Sequence, residues 1–217
     1  MSRAGRYYYS KQPGGESSRF TIDYNIKTVR RENIDDGGVI SFISDSGVFS
    51  KNRVDFGTDL LIRSIPPLSG RALDLGCGYG AAGISLALLN PAVEFWFSDV
   101  NERAIELCRI NYTQLVAKNK PYGHNINILC SDGFDMLGDI KFDTIVTNPP
   151  IRTGKENIYR LYGEAFSHLN AGGMFFLVIQ KKQGMESTYQ KLTGLFGNCG
   201  DIARKAGYHV LASVKRQ

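Results

Sequence analysis

The chain has 217 residues, enough for one large domain or a domain with an arm, and 42% of them are hydrophobic, which suits a globular core. Its net charge of +5 and isoelectric point of about 9.0 are compatible with a polyanionic partner. The sequence has no N-terminal signal segment, no run of about 18 apolar residues and no zinc-ligand spacing among its four cysteines. We therefore expect a cytoplasmic protein without a metal site and without a membrane partner.

The first 50 residues differ from the rest, and we predict that they form an arm and a small β-hairpin. A basic, tyrosine-rich segment covers residues 1–18. It is either a frayed terminus or an arm that stacks on RNA bases or covers a cofactor cleft. Residues 20–26 and 39–43 alternate apolar and polar side chains, as paired strands do. Residues 51–217 are predicted to form one α/β domain.

Within residues 51–217, strand and helix patterns alternate, which is typical of a parallel sheet with helices on its faces. The predicted helices lie at about 55–64, 81–89, 101–118, 157–169 and 187–196. The predicted strands lie at 72–75, 94–99, 126–130, 142–147 and 174–180, followed by a hairpin of 201–205 and 208–215. The hairpin places an antiparallel strand at or near the sheet edge. The predicted fold class is therefore α/β, with a mostly parallel, seven-stranded sheet.

A glycine-rich turn joins the first strand of this sheet to the helix that follows. Gly76, Gly78 and Gly80 allow the backbone to turn sharply and to approach a ligand closely, because no Cβ intervenes. The spacing of Gly76, Gly78 and Ala81 fits the dinucleotide fingerprint, and the flanking strand and helix are the context it requires. The next strand ends at Asp99, where an acid usually accepts hydrogen bonds from ribose hydroxyls. These residues predict a site for an adenosine-containing ligand.

A stiff corner follows the strand at 142–147. Asn148 precedes Pro149 and Pro150, and neither proline can donate a hydrogen bond to a sheet ladder. The corner can aim two acceptors, the Asn148 side-chain amide and the Pro149 carbonyl, at one spot beyond the carboxyl end of the strand. Ligands of open α/β sheets bind at that end, and two converging acceptors suit an NH2 donor.

The charge of the expected ligand is indicated by Asp74, which precedes the first glycine by two residues. A carboxylate is unfavourable beside a pyrophosphate but suits a cation such as S-adenosylmethionine. The run 74–80 resembles the first motif of class I S-adenosylmethionine-dependent methyltransferases, and residues 148–150 resemble the Asn-Pro-Pro motif of enzymes that methylate exocyclic or amide nitrogens. The runs 44–50, 54–57, 148–155 and 179–184 are similar to bacterial 16S rRNA guanine-N2 methyltransferases, in particular to small single-domain relatives.

The resemblance implies a Rossmann-like methyltransferase domain with S-adenosyl-L-methionine as cofactor, which methylates guanine N2 in 16S rRNA, alone or in the small ribosomal subunit. The implied cofactor-binding residues are Asp74, Gly76, Cys77, Gly78, Gly80, Asp99, Val100, Asp132, Gly133, Phe134 and Asn148. The residues implied at the reacting centre are Asn148, Pro149, Pro150 and Ile151. The candidate substrate-binding residues are Phe49, Arg152, Lys155, Lys181 and Lys182. In this class an acid at the position of Asp132 accepts from the adenine amino group.

The chain departs from the family motif at Ile151, where the family has an aromatic residue that would stack on the target base. We expect that stacking partner from elsewhere, with Phe49 or Phe134 as candidates. Methylation of a protein glutamine amide or a DNA adenine therefore stays open. More remote alternatives are an NAD-dependent dehydrogenase, which Asp74 disfavours, and a non-catalytic RNA-binding module, which the intact Asn148 disfavours. The sequence leaves open whether the protein is a monomer or a homodimer.

Overall fold

The structure is a computed structural model that describes residues 19–26, 38–45, 53–118 and 125–216. The tyrosine-rich segment at residues 1–18 and Phe49 lie outside the described residues. The first described elements are strands β1 (Arg19–Asn25) and β2 (Val39–Asp45), which pair antiparallel in a two-stranded sheet of their own. The predicted N-terminal hairpin is therefore confirmed, and its second strand extends two residues beyond the predicted end at 43.

Seven further strands form a second, larger sheet. They are β3 (Arg71–Leu75), β4 (Glu94–Asp99), β5 (Ile126–Cys130), β6 (Phe142–Thr147), β7 (Leu169–Gln180), β8 (Gly200–Lys205) and β9 (Tyr208–Val214). Their spatial order is β5-β4-β3-β6-β7-β9-β8. The strands from β3 to β7 are parallel, whereas β9 is antiparallel to both β7 and β8. The predicted seven-stranded, mostly parallel sheet is confirmed.

Five helices are described: α1 (Phe56–Ser64), α2 (Ala81–Leu89), α3 (Glu102–Lys118), α4 (Lys155–His168) and α5 (Met185–Phe196). Two apolar clusters cover the two faces of the sheet. Neighbouring residues of one strand belong to different clusters, as Phe175 and Phe176 do in β7, because successive side chains of a strand point to opposite faces. One cluster includes the β1–β2 hairpin and helices α1, α2 and α3, and the other includes α4 and α5.

The start of β7 differs from the prediction. Ala171, Gly172 and Gly173 predicted a helix end before a strand at 174, but the strand begins at Leu169. The two glycines lie within β7, although Gly172 has a φ of +81°: the Gly172 amide donates to the Lys215 carbonyl at 2.8 Å, and the Lys215 amide donates to the Gly173 carbonyl at 2.9 Å. Glycine is common both at helix ends and in irregular strands, so local sequence does not separate these two cases.

The β1–β2 hairpin packs against α3 through a buried polar contact. The Asn111 side chain of α3 accepts from the Ile43 amide at 2.6 Å and donates to the Ile43 carbonyl at 2.9 Å. The same side-chain nitrogen donates to the carbonyl of Tyr79, in the glycine-rich turn, at 2.9 Å. The inward side chains Ile22 and Phe42 share a cluster with α1 and α3. The division of the chain at residue 50 stays a prediction, but the hairpin and the glycine-rich turn are linked through one asparagine.

Candidate active site

The carboxyl ends of three adjacent strands meet at one edge of the large sheet. β3 is central, and the chain runs outwards from it to β4 and β5 before it returns to β6 on the other side. Leu75, the last residue of β3, lies opposite Ser98 of β4 and Thr147 of β6. The glycine-rich turn, Asp99 and Asn148 follow these strand ends directly. They therefore surround the topological switch point, where open α/β sheets bind their ligands.

The glycine-rich turn is anchored to β4 and leaves space at two of its glycines. The amides of Gly76 and Cys77 both donate to the Ser98 carbonyl, at 2.8 and 3.0 Å. Gly76 and Gly78 have φ values of +71° and +56°, and a Cβ added at either position would meet no atom within 4 Å. A ligand can therefore lie directly against the backbone at these two residues.

Gly80 and Cys77 have different surroundings from those two glycines. A Cβ at Gly80, which has a φ of +95°, would lie 2.6 Å from the Ile84 side chain and 2.9 Å from the Cys108 sulfur. Gly80 is therefore required by internal packing. The Cys77 side chain is 7% exposed, and burial, together with the neighbouring Cys108, raises the pKa of its thiol. Cys77 can contact a ligand through its backbone, while its thiol stays protonated in the core.

Asp99 is bonded to the backbone of the glycine-rich turn. Its Oδ2 accepts from the Gly78 amide at 2.9 Å, and its Oδ1 accepts from the Asn101 amide at 2.9 Å. Burial raises the pKa of this carboxyl, and the backbone donors act in the opposite direction. A carboxylate can accept about four hydrogen bonds, so Asp99 keeps some capacity beside its backbone donors, which include Val100, and its contact with the ribose stays a prediction. Val100, the next residue, exposes 37% of its surface at this edge.

Asp74 lies beneath the turn and is only 2% exposed. Its Oδ2 accepts from the Gly83 amide in the first turn of α2 at 2.7 Å. Burial raises the pKa of Asp74 to about 7, and the charge of Asp99 acts in the same direction. A cationic ligand above the turn would oppose both effects and favour the ionised carboxylate.

The Asn148 side chain has one defined orientation. Its Nδ2 donates to Thr58 Oγ1 at 3.0 Å and to Asp55 Oδ2 at 3.3 Å, at the start of α1. Because a carboxylate only accepts hydrogen bonds, the NH2 group of the amide must face Asp55. The carbonyl oxygen Oδ1 consequently faces away from α1. Within the part of the chain that the structure describes, no donor bonds to Asn148 Oδ1 or to the Pro149 carbonyl.

Asp55 and Thr58 were not among the predicted site residues. Asp55 caps α1, and its Oδ2 also accepts from the amides of Gly57 at 2.9 Å and Thr58 at 3.3 Å. Their contacts with Asn148 span 93 and 90 residues of sequence. The local pattern indicates only that a helix begins near residue 55, because nothing in it identifies a partner so far along the chain.

The residues after β5 have structural partners of their own. The Asp132 carboxylate is half-exposed and accepts from Arg160 at 2.7 Å. Phe134 is 4% exposed, and its ring stacks on His168 with centroids 4.3 Å apart. The prediction that Phe134 could stack on the target base is therefore wrong, because its ring is covered. Gly133 has a φ of +56°, and a Cβ there would lie 2.7 Å from Glu164 Oε2. The adenine contact of Asp132 stays a prediction.

The predicted substrate-binding lysines are exposed. Lys155 begins α4, and Lys181 and Lys182 lie in a single 3-10 turn, Lys181–Gln183, that follows β7. Ile151 begins another 3-10 turn after Pro150 and packs partly against the cluster beside α4 and α5. The structure describes the backbone of Arg152 but not its side chain. No group of three or more metal-ligand side chains occurs among the described residues, and none of the described helices combines the length and the apolar character needed to cross a membrane.

The glycine-rich turn and the acid at neighbouring strand ends fit an adenosine-containing ligand, and similarity to known methyltransferases identifies the class as S-adenosylmethionine-dependent methyltransferases, with S-adenosyl-L-methionine as cofactor. The chain belongs to the methyltransferase small domain family, whose model matches residues 39–212.

Named relatives are of two lengths. The chain is 39% identical over 212 residues to the uncharacterized protein YbxB of Bacillus subtilis, covering 96% of this chain and 98% of that protein. It is 35% identical over 184 residues to a ribosomal RNA small subunit methyltransferase C of Vibrio cholerae, covering 83% of this chain and 51% of the relative. The fold is also similar to a solved T. thermophilus 16S rRNA N2 methyltransferase in complex with AdoMet and guanosine, with a TM-score of 0.75 and 25% sequence identity. The match covers 91% of this chain and 51% of the T. thermophilus chain. The chain thus spans about half the length of these two rRNA methyltransferases.

Proposed function

We propose that this protein transfers a methyl group from S-adenosyl-L-methionine to the exocyclic N2 amine of a guanine in 16S rRNA, in the cytoplasm. The observation that carries the proposal is the orientation of the Asn148 amide, whose NH2 group is held by Thr58 and Asp55 so that Oδ1 can accept from a substrate amine. The similarity to the V. cholerae and T. thermophilus rRNA methyltransferases supports the choice of guanine N2 and of small-subunit RNA.

The residues around the glycine-rich turn suit the cofactor. Gly76 and Gly78 would lie against its methionine part, since a Cβ at either position would occupy open space. Asp99 would accept from the ribose hydroxyls, and the buried Asp74 carboxylate would stabilise the positive charge. When bound, S-adenosyl-L-methionine supplies an electrophilic methyl group.

The chain itself supplies position and electrostatic stabilisation. A guanine amine is a weak nucleophile, because its lone pair is delocalised into the ring. If Asn148 Oδ1 and the Pro149 carbonyl accept its two hydrogens, they favour a pyramidal nitrogen with a localised lone pair. They would also stabilise the positive charge that develops on the nitrogen as the N–C bond forms and the bond between the methyl group and sulfur breaks, which leaves a neutral thioether; one proton then leaves the nitrogen to solvent. The Asp55 carboxylate bonded to Nδ2 polarises the amide, which makes Oδ1 a stronger acceptor. Fixed positioning of this kind contributes most to a direct displacement.

Methyl-labelled S-adenosyl-L-methionine tests the proposal. Purified protein is incubated separately with small ribosomal subunits, naked rRNA, DNA and total protein, and labelled RNA is then digested to nucleosides. We expect label in N2-methylguanosine, and the preferred form of RNA will show whether the assembled subunit is needed. Asn148→Ala serves as the control, because it should transfer no label; its cofactor affinity is measured alongside, since Asn148 is also among the predicted cofactor-binding residues. Absence of label from every substrate, despite cofactor binding, would contradict the proposal.

Ile151 favours a second candidate, methylation of a protein glutamine amide or of a DNA adenine. The Asn-Pro-Pro corner suits those NH2 groups as well, and an aliphatic side chain cannot supply aromatic stacking on a guanine. In the same experiment, this candidate predicts label only in the protein or in N6-methyladenine.

A further inference from the structure

We propose that a second surface, beside the Asn148 corner, binds a single-stranded RNA segment adjacent to the target nucleotide. The surface consists of two half-buried aromatic rings and three exposed lysines, and we term it the basic aromatic surface: Phe56, Tyr208, Lys181, Lys182 and Lys205. This proposal deepens the proposed function, because it says which surface holds the RNA beside the active site. It rests on the proposed function in one respect, the identity of the nucleotide that is methylated.

The two rings lie beside the residues that orient Asn148. Phe56 follows Asp55 in the chain, and its ring centroid is 5.5 Å from that of Tyr208. Gly57 allows this approach, because a Cβ there would lie 2.8 Å from the Tyr208 ring. Thr58, the next residue, holds the Asn148 amide. The aromatic pair therefore lies at the first turn of α1, the same turn that orients the Asn148 side chain.

Three lysines lie at the turns next to the pair. The Lys205 ammonium lies 5.9 Å from the centre of the Phe56 ring. The Lys181 amide donates to the Gly207 carbonyl at 2.8 Å, which joins the 3-10 turn after β7 to the turn between β8 and β9. Lys181, Lys182 and Lys205 thus lie at the same edge of the sheet. In the described ranges, no acid forms an ion pair with any of these three side chains. Their charges are available to an anionic partner.

This composition fits an unpaired RNA strand. Proteins that bind single strands combine aromatic rings, on which bases stack, with lysines and arginines that contact the phosphates. A target guanine must leave its stack to reach Asn148, so the flanking nucleotides are unpaired at that moment. The Phe56–Tyr208 pair offers those flanking nucleotides an aromatic surface on which to stack. Double-stranded RNA keeps its bases stacked within the helix and is contacted mainly through phosphates and 2′-hydroxyls, so it would leave the two rings without a stacking partner.

The first test uses a short single-stranded RNA containing one guanine, with binding followed by fluorescence anisotropy at several salt concentrations. The variant carries Lys181→Gln, Lys182→Gln and Lys205→Gln together. We expect the slope of log affinity against log salt to fall by about 2, since each phosphate contact on a single strand contributes about 0.7. Phe56→Leu should weaken binding roughly tenfold with little change in slope, because stacking is not ionic.

Lys215→Gln is the matched control. The Lys215 ammonium also lies over an aromatic ring, 5.0 Å from the centre of Phe166, but it bonds the Leu169 carbonyl at the opposite edge of the sheet. Its salt slope and affinity should equal those of the unaltered protein. Equal slopes for the triple variant and the control, or no binding of the RNA by the unaltered protein, would overturn the proposal.

Cofactor binding and methyl transfer, measured on the same variants, separate this inference from the proposed function. If the triple variant loses RNA affinity while no protein transfers methyl to guanine, the surface stands and the proposed function fails. If the triple variant methylates guanine with unchanged KM, the surface fails and the proposed function stands.

Discussion

Replacing Thr58 by Val should slow methyl transfer without weakening cofactor binding. Thr58 is 7% exposed, and its hydroxyl accepts from Asn148 Nδ2 at 3.0 Å. Valine has nearly the same shape but no hydroxyl, so the helix and its packing are retained while this contact is lost. The Asn148 amide then keeps only the longer bond to Asp55, at 3.3 Å, and Oδ1 is less firmly directed at the substrate amine.

The size of the effect follows from the bond that is removed. A neutral hydrogen bond contributes about 1 kcal/mol, and a buried donor left without its partner costs about 1–3 kcal/mol. If the loss falls on the transition state, kcat decreases roughly 5- to 150-fold, because about 1.4 kcal/mol corresponds to a factor of ten. Asp55→Ser removes the charge-assisted bond while its hydroxyl still caps α1, so it should have a larger effect than Thr58→Val. The two changes combined should approach Asn148→Ala.

Single-turnover methyl transfer measures this effect, with calorimetric cofactor titration and urea unfolding on the same proteins. Thr58→Ser retains the hydroxyl and should restore most of the rate. Thr193→Val is a matched control, since Thr193 is an exposed residue of α5 whose hydroxyl donates only to its own helix, at Tyr189. An unchanged kcat for Thr58→Val, or a rate loss matched by equal loss of cofactor affinity, would refute the positioning role.

Three further substitutions test the cofactor side of the site. Asp99→Asn should weaken binding of S-adenosyl-L-methionine roughly tenfold or more in calorimetry, because it removes a charged acceptor; an unchanged Kd would contradict the assignment. Gly80→Ala should lower the free energy of unfolding by about 1–3 kcal/mol in urea melts, because its Cβ would lie 2.6 Å from Ile84 at a φ of +95°; a wild-type midpoint would show that the turn can adjust. Burial raises the pKa of Asp74 to about 7 from its ordinary 3.8, so the folded protein holds this proton more tightly than the unfolded chain does. The protonated carboxyl therefore contributes its full stability below pH 3.8, and this contribution is lost as the pH rises through 7. Urea melts at about pH 5 and pH 8 should show this loss, roughly 2–3 kcal/mol, in the unaltered protein and not in Asp74→Asn.

The large sheet was predictable wherever its signals are local. The bounds of β4, β5 and β6 agree with the prediction, because each is an apolar run bounded by turn residues. The start of β7 was predicted wrongly, because the inclusion of Gly172 and Gly173 in the strand depends on pairing with Lys215, more than 40 residues later in the chain. The attachment of the β1–β2 hairpin through Asn111 was not predicted for the same reason.

The candidate site divides in a similar way. The glycine-rich turn and Asp99 form a recognisable pattern within a single strand–helix–strand unit, and the structure brings them together with Asn148. Asp55 and Thr58 were missed, because their role exists only once α1 lies beside the end of β6. Phe134 was misassigned as a stacking residue. Its ring is covered by His168, and this contact depends on the position of α4, which local sequence does not give. Contacts between distant elements therefore determine how the predicted residues can act.

The most direct test of the central claim is the nucleoside content of 16S rRNA in cells that lack this protein. Mass spectrometry of rRNA digests would compare deleted cells with cells that again produce either the unaltered protein or Asn148→Ala. The account predicts that deletion removes N2-methylguanosine from one position, that the unaltered protein restores it, and that Asn148→Ala does not. Equal N2-methylguanosine in all of these cells, with a change in another methylated nucleoside or in a protein, would contradict it.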